Sequence, residues 1–262
     1  MAAKFEGAIF DVDGVLVDSP HEKAWREALR QLMEGDWSDI RDQTDWTPEA
    51  FTPHVYETVM SGKPRMSGAR AALEYFKVPD VDAHIQAYAD RKQQMLIGLI
   101  QAGDFTAYPD ALRFIIGVKD EGIRVAAASS SKNADLFLAK IPLDSFAREQ
   151  GIESTTIQPG LTLLDYFDAN VNGRDFARSK PDPEMFLTAA EELGVAPERS
   201  MVMEDAAAGM EAAKAGHMAA LGISRGDDAD LLAEAGADIV VTSLDDVDLE
   251  ALREGRLAKK AS

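Results

Sequence analysis

The stretch Phe10-Asp11-Val12-Asp13-Gly14-Val15-Leu16-Val17-Asp18-Ser19 decides how this chain is read. Residues 5–9 before it, Phe-Glu-Gly-Ala-Ile, read as a short buried strand. Two carboxylates, two residues apart, then stand where that strand should end. On a continuing strand they would share a face. Gly14 favours a sharp departure instead. Close carboxylates at the end of a buried strand are costly unless a cation or a proton lies between them. That cost points to chemistry, because carboxylates are ordinary Mg2+ ligands and can act as nucleophiles. A calcium loop opening at Asp11 fits poorly. Glu22 falls at its twelfth position, but the sixth is Leu16, where the loop needs Gly, and the fifth is Val15. A solvated surface turn fits poorly too, with an apolar strand before the pair and Val15-Leu16-Val17 after it.

The composition sets outer bounds. The chain has 262 residues, 46% of them hydrophobic, enough for one large domain or two unequal ones. No run approaches the roughly eighteen apolar residues of a membrane span. The first residues lack the apolar core of a secretory signal. There is no cysteine, so thiol chemistry and disulfides are excluded. The expectation is a cytoplasmic protein without a membrane partner. A formal charge of −19 disfavours nucleic acid, whose binding needs a basic face. An anionic substrate would need a local cluster of cations against that global field.

Taken in order, the pattern is α/β, interrupted once. Residues 21–33 form an amphipathic helix with Trp25, Leu29 and Leu32 on one face. Residues 35–51 are largely polar, with Trp37 and Trp46 but no strand pattern. Thr52 and Pro53 read as an N-cap followed by proline at the first helical position. Helical patterns follow over 53–60, 67–76 and 81–102. From residue 105 strands and helices alternate again. Helices are expected over 110–121, 133–140, 183–193, 206–215 and 227–235. Strands are expected over 124–128, 169–171, 200–203, 218–222 and 238–241. Asp182 is a plausible cap for the 183–193 helix and Gly194 its stop. Residues 141–163, with Pro142, Pro159 and Gly160, read as irregular. The acidic run Asp245-Asp246-Val247-Asp248 reads as a solvated face. Short apolar strands alternating with helices imply a parallel sheet covered on both faces.

Three further sites sit where strands end. Ala126-Ala127-Ala128-Ser129-Ser130-Ser131-Lys132-Asn133 runs a strand into three hydroxyls and a helix start, whose free N–H groups suit a phosphate. Arg178-Ser179-Lys180-Pro181-Asp182-Pro183 places an ammonium at the lip of a helix. Met201-Val202-Met203-Glu204-Asp205 again runs an apolar strand into two acids. Each has an ordinary reading: a Ser cap, a loop, an Asp cap. Their order and common placement at strand ends, where α/β proteins bind ligands, make coincidence improbable.

Asp11-Val12-Asp13-Gly14-Val15, Ser129, Lys180 and Glu204-Asp205 together resemble the four ordered motifs of the haloacid dehalogenase superfamily, over about residues 5–225. The resemblance is nearest to its subfamily IA, the β-phosphoglucomutase-like hydrolase and mutase branch. It implies a Rossmann-like doubly wound parallel sheet core over residues 1–19 and 104–262, with an inserted all-helical cap domain over 20–103. It implies phosphoryl transfer through an aspartyl phosphate on Asp11. Asp13 would serve as general acid and base, and Ser129 and Lys180 would hold the transferring group. It also implies a Mg2+ cofactor held by Asp11, the Asp13 carbonyl and Asp205, with Glu204 beside it. An acid at Asp13 disfavours the dehalogenase and phosphonatase branches.

The implied substrate is a small sugar phosphate, with β-glucose 1-phosphate to glucose 6-phosphate as the first reading and simple phosphomonoester hydrolysis as the alternative. Gly62 and Arg65 match the spacing of the mutase's cap grip on the distal phosphate. His21 and Lys92 match its hinge and cap contacts. Ser130, Ser131, Lys132 and Asn133 would supply core-side substrate contacts. The chain is expected to act as a monomer, with a dimer as the alternative. Departures from the mutase pattern are a segment shorter by about two residues between Asp18 and His21, a divergent stretch from 30 to 56, and the 141–163 insertion.

Overall fold

The computed structural model describes residues 4–60 and 63–260. The chain divides into two compact units: Met1–Ser19 with Thr106–Ser262, and Pro20–Phe105. Among its described residues the larger holds eight strands: β1 (Gly7–Phe10), β2 (Val17–Asp18), β3 (Thr106–Ala107), β4 (Arg124–Ala127), β5 (Ala169–Asn170), β6 (Ser200–Glu204), β7 (Ala219–Ile223) and β8 (Ile239–Val241). Six of them form one sheet in the order β5-β4-β1-β6-β7-β8, every pair parallel. β2 and β3 pair antiparallel in a separate ribbon that the sequence pattern did not announce, being only two residues each.

The sheet is parallel because its central strands are apolar on both faces. Ala8-Ile9-Phe10, Val125-Ala126-Ala127 and Met201-Val202-Met203 are all fully buried. Ile9 packs in a cluster with Phe186 and Ala189 of the Glu184–Leu193 helix and with Met210 and Ala213 of the Ala207–Ala215 helix. Phe10 points to the other face. There it meets Phe114 of the Pro109–Asp120 helix and Phe167 edge-to-face, with ring centroids 6.2 and 6.3 Å apart. From β1 the chain winds out through β4 and β5, then returns to the other side of β1 for β6, β7 and β8. The direction of winding reverses between β1 and β6, and the crevice beyond the carboxyl ends at such a reversal is where doubly wound sheets bind ligands.

Two stretches differ from the sequence expectation. Residues 141–163 contain a helix, Leu143–Glu149, and lead into another, Leu163–Tyr166. The first is short and buries only Leu143 and Ala147, too few residues for a visible period. The second opens on a reciprocal capping box between Thr162 and Asp165. The ends of the insertion are tied together. Leu143 N–H donates to Leu161 O at 3.0 Å, and Leu163 N–H donates to Ile141 O at 2.9 Å. The acidic run near the C-terminus is more than a solvated face. Asp245 accepts both arms of Arg113, at 2.9 and 2.6 Å. Asp248 caps the Leu249–Arg253 helix by accepting from Glu250 N–H at 2.9 Å and Ala251 N–H at 3.2 Å.

The smaller unit is helical: His21–Glu34, Pro53–Val55 continued by a π-turn over Tyr56–Met60, Arg65–Tyr75, and Val81–Ala102. Thr52 Oγ1 accepts from Val55 N–H, as its position before Pro53 predicts. The irregular segment after the first helix contributes Trp37 and Trp46 to the unit's own apolar core, beside Trp25, Leu29, Phe51, Phe76 and Tyr88. Trp25 and Tyr88 meet edge-to-face at 4.9 Å, and the Tyr88 hydroxyl donates to Trp25 O at 3.0 Å. Among the described residues no helix is long and apolar enough to cross a membrane.

Replacing Asp248 by Ala removes the acceptor for two helix N–H groups. The expected loss is about 1 kcal/mol, a drop of a few degrees in melting temperature at this size. An unchanged melting curve would mean that the Leu249–Arg253 helix does not depend on its cap.

Candidate active site

Four of the expected residues come from the ends of neighbouring strands, and strand register brings them together. Phe10 pairs with Ala127 on one side and Met203 on the other. Asp11 therefore follows β1 level with Ala128 and Glu204. Its N–H donates to Met203 O at 3.1 Å, and Ala128 N–H donates to Phe10 O at 2.8 Å. Asp11, Ser129 and Glu204 are all buried. Lys180 reaches in from the long crossover after β5. Its ammonium donates to Asp11 Oδ1 at 2.7 Å and also to Glu204 Oε1. It lies 5.0 Å from the centre of the Phe186 ring.

Glycines make room for the acids. Gly14 sits at φ +80°, where other residues are strained, and a Cβ there would fall 1.8 Å from Asp205 Oδ2. A Cβ on Gly209 would fall 2.1 Å from Glu204 Cδ. The Asp13–Val17 turn is thus packed directly against the Asp205 carboxylate, and the following helix directly against Glu204.

The electrostatics follow from one ammonium among four carboxylates. Burial, with Glu204 and Asp13 nearby, pushes the Asp11 carboxyl up to about 7 although Lys180 pulls the other way. Burial, then the charges of Glu204 and Asp11, push Asp205 up to about 8. Burial would lower the Lys180 pKa, but Asp11 and Glu204 together hold it above the ordinary lysine value, so it stays an ammonium. Asp11 and Asp205 are therefore carboxylates short of positive charge, and their hard oxygens suit a divalent cation that keeps several waters. Glu204 does not fit the metal-ligand expectation as well. Its Oε1 is taken by Lys180, and its Oε2 accepts the N–H groups of Asp205 and Ala206 at 3.1 and 3.0 Å. Its evident task is to hold Lys180 and the start of the next helix. Among the described residues, no group of three or more Asp, Glu, His or Cys side chains is arranged to hold a metal ion by itself.

The loop after β4 is ordered by a network that the sequence did not disclose. Ser129 N–H donates to Asn172 Oδ1 at 2.9 Å, and Gly173 N–H donates to Ser129 O at 2.8 Å. Asn172 and Asn170 both donate to Asp135. Ser129 Oγ accepts from Ser131 N–H at 3.1 Å, which leaves its hydroxyl hydrogen to be donated. Ser131 Oγ accepts from Asn133 N–H at 3.3 Å. Ser130 is exposed, Asn133 is buried, and Lys132 forms an exposed ion pair with Asp175 at 2.9 Å. A second unforeseen group lies behind the Asp13–Val17 turn: Arg225, Asp110 and Tyr108. Arg225 Nη1 donates to Asp110 Oδ2 at 2.9 Å, and its guanidinium stacks 3.9 Å from the Tyr108 ring centre.

In the helical unit, Lys92 is buried rather than a surface charge. Its Nζ lies 3.0 Å from His21 Nδ1 and 5.0 Å from the Trp25 ring centre. Arg65 is exposed at the start of its helix and donates to Gln93 Oε1 at 2.8 Å. Gly62 lies outside the described residues.

Residues 5–217 match the haloacid dehalogenase-like hydrolase family. A β-phosphoglucomutase from Mycobacterium bovis is 32% identical over 260 residues, covering 92% of this chain and 90% of the relative. A phosphorylated carbohydrates phosphatase from Thermotoga maritima is 29% identical over 235 residues, covering 88% and 92%. The crystal structure of a β-phosphoglucomutase from a hyperthermophilic Pyrococcus superposes with a TM-score of 0.66 at 28% identity, covering 95% of this chain and 99% of that one. With its ordered acids and lysine on a doubly wound parallel sheet, this chain belongs to the haloacid dehalogenase-like hydrolase family, as an enzyme of the phosphotransferase and phosphatase kind in its β-phosphoglucomutase-like branch.

Proposed function

We propose that this enzyme is a Mg2+-dependent phosphomutase of a small sugar phosphate, converting β-glucose 1-phosphate to glucose 6-phosphate through an aspartyl phosphate on Asp11. The observation that carries the phosphoryl-transfer reading is the Lys180 ammonium at 2.7 Å from Asp11, at the carboxyl end of the central strand. An ammonium there lets a carboxylate approach a phosphate dianion and then shares the charge of its equatorial oxygens.

The steps follow from the chain's own groups. An Asp11 oxygen attacks phosphorus and the ester P–O bond breaks. Asp13 gives its proton to the leaving sugar oxygen. The Ser129 hydroxyl and Lys180 hold the phosphoryl oxygens throughout. Asp13, now a carboxylate, takes the proton of the acceptor hydroxyl as that oxygen attacks the aspartyl phosphate. In a mutase the acceptor is a sugar hydroxyl, and a bisphosphate forms and turns over; in a phosphatase it is water. Asp11, Asp205 and the Asp13 carbonyl are the groups that would hold Mg2+, which when bound neutralises the carboxylates and the developing phosphoryl charge.

The mutase reading draws support from the helical unit. Lys92 is a buried cation hydrogen-bonded to His21, a built arrangement rather than a solvated charge. The 32% identity to a β-phosphoglucomutase over nearly the whole chain points the same way. The hydrolase alternative is favoured by the exposure of Arg65 and by the similarity to a carbohydrate phosphatase.

Asp11→Asn should fold, should fail to take up label from a phosphoryl donor, and should lose turnover, because an amide is a poor nucleophile. Phosphate transfer at the wild-type rate by this variant would remove Asp11 from its role.

The metal is tested through pH. Unfolded aspartates lose their protons near 3.8, but Asp11 and Asp205 keep theirs up to about 7 and 8 in the folded protein. Between those values the folded state binds more protons, so stability falls as pH rises. Chelator-treated protein should melt at progressively lower temperature from pH 5 to pH 8. Mg2+ should raise the melting point more at pH 8 than at pH 5. Melting points that ignore both pH and Mg2+ would contradict the proposed site.

Mutase and phosphatase separate on paired rates. A mutase needs a grip on the phosphate that is not reacting, and Arg65 is the cap residue assigned to it. Glucose 1,6-bisphosphate should accelerate isomerisation of β-glucose 1-phosphate by the wild type. Arg65→Ala should slow isomerisation by about 10–150-fold and leave hydrolysis of a small aryl phosphate nearly intact. If the wild type hydrolyses many esters and isomerises none, the phosphatase reading takes over.

A further inference from the structure

The Asp13–Val17 turn has to hold Asp13 still while a proton passes to and from substrate, and its carbonyls are claimed partly from within the turn and partly from far along the chain. Val12 O accepts from Leu16 N–H at 2.9 Å and Val17 N–H at 3.0 Å. Val17 O accepts from Gly14 N–H at 2.8 Å, and Leu16 O from Tyr108 N–H at 2.9 Å. The two carbonyls at the tip are reached from far along the chain. Arg225 donates from Nε towards Gly14 O at 3.4 Å and from Nη2 towards Val15 O at 3.3 Å. Both contacts are long, but they come from a group that is itself fixed. Its third nitrogen, Nη1, is held by Asp110 at 2.9 Å, and its plane lies on the Tyr108 ring.

Asp110 is in turn over-determined. It is buried and accepts from Leu244 N–H at 2.8 Å and from Ser243 Oγ at 3.3 Å, besides Arg225. Burial alone would lift its carboxyl; the Arg225 hydrogen bond, the Leu244 amide and the guanidinium charge outweigh it and hold the pKa below the usual aspartate range. The clamp thus ties the turn to the start of the Pro109–Asp120 helix, to the segment after β7 and to the segment after β8. A planar fork with three fixed contacts is a task for Arg that Lys cannot take over.

We propose that Arg225, clamped by Asp110 and Tyr108, is a positioning residue that fixes the Gly14–Val15 tip and thereby the carboxyl of Asp13. The proposal rests on the reading of Asp13 as general acid and base. Displacements of about 1 Å at a reacting group cost about 10²-fold, so loss of the clamp should be felt in proton transfer before it is felt in binding.

The test uses two esters that differ in their need for a proton. Phenyl phosphate needs its leaving oxygen protonated, whereas 2,4-dinitrophenyl phosphate has a leaving group that departs as the anion. Single-turnover phosphorylation of Asp11 is followed by release of the phenol in wild type, Asp13→Ala, Arg225→Lys and Asp110→Asn. Melting curves identify the folded variants. Asp110→Asn keeps the shape of the acceptor and serves should Arg225→Lys not fold. The expected result is that both clamp variants lose about 10–100-fold on phenyl phosphate and less than about threefold on the dinitrophenyl ester, with the half-saturating ester concentration little changed, in parallel with Asp13→Ala. Equal losses on both esters, or no loss, while Asp13→Ala stays selective would overturn the positioning role alone. Should Asp13→Ala itself fail to discriminate between the esters, the general-acid reading falls and the proposal falls with it.

Discussion

Four carboxylates and one largely enclosed ammonium at the end of a central strand set the terms for the rest of the catalytic unit. Asp11, Asp13, Glu204 and Asp205 would repel one another out of any ordinary interior. Lys180 meets two of them directly, at Asp11 and Glu204. Two backbone amides meet the other oxygen of Glu204. What remains uncompensated lifts the pKa values of Asp11 and Asp205, to about 7 and 8. A stability-optimised core would not keep such a group; the cost makes sense only where a ligand bringing positive charge, or a reaction needing a poised carboxyl, makes use of it.

The fold exists to hold that cluster at atomic precision. A parallel sheet is stiff and buried on both faces, so its strand ends are fixed points. The reversal between β1 and β6 brings Asp11 and Asp205, far apart in sequence, to adjacent strand ends. Lys180 arrives on a loop rather than a strand, and its position is set at its far end by Asp11 and Glu204 rather than by ladder hydrogen bonds. The hydroxyl loop after β4 is set differently again, by Asn172 beside the end of β5. Three kinds of anchoring therefore converge: register for the acids, ion pairing for the lysine, and side-chain amides for the serine loop.

Much of this was legible in the sequence because the chemistry-bearing residues are local and conspicuous. An acid pair after an apolar strand, a Gly beside it and a Lys-Pro at a helix lip stand out by type and spacing. The Val81–Ala102 helix and the Thr52 cap were likewise carried by local rules. What escaped was held by long-range partners of ordinary types. Arg225 and Asp110 meet across 115 positions, and neither has a neighbouring residue that marks it. Asn172 reads as one polar residue of a turn until Ser129 is beside it. Trp37 and Trp46 looked stranded in a polar segment because a core filled from an irregular loop has no period to detect. Glu204 was grouped with the metal residues because sequence shows its proximity to Asp205 but not which way its two oxygens turn, here towards Lys180 and two backbone amides.

Charge also explains how a chain with a net of −19 can handle an anion. The long-range field of the protein opposes a phosphate dianion, but at physiological salt that field is screened beyond about 8 Å. Within that distance only buried charges count, since they are screened least. Among the described residues at these strand ends, the cation that meets the acids is Lys180, and they outnumber it. On the proposed reading, phosphate therefore cannot be drawn in by the side chains alone; a divalent cation must enter with it or before it. The same imbalance bears on selectivity. On the same reading, a site that is repulsive until its metal is present would not bind stray anions strongly, and a substrate would be accepted only when the metal, the Lys180 ammonium and the Ser129 hydroxyl could all reach one phosphoryl group at once.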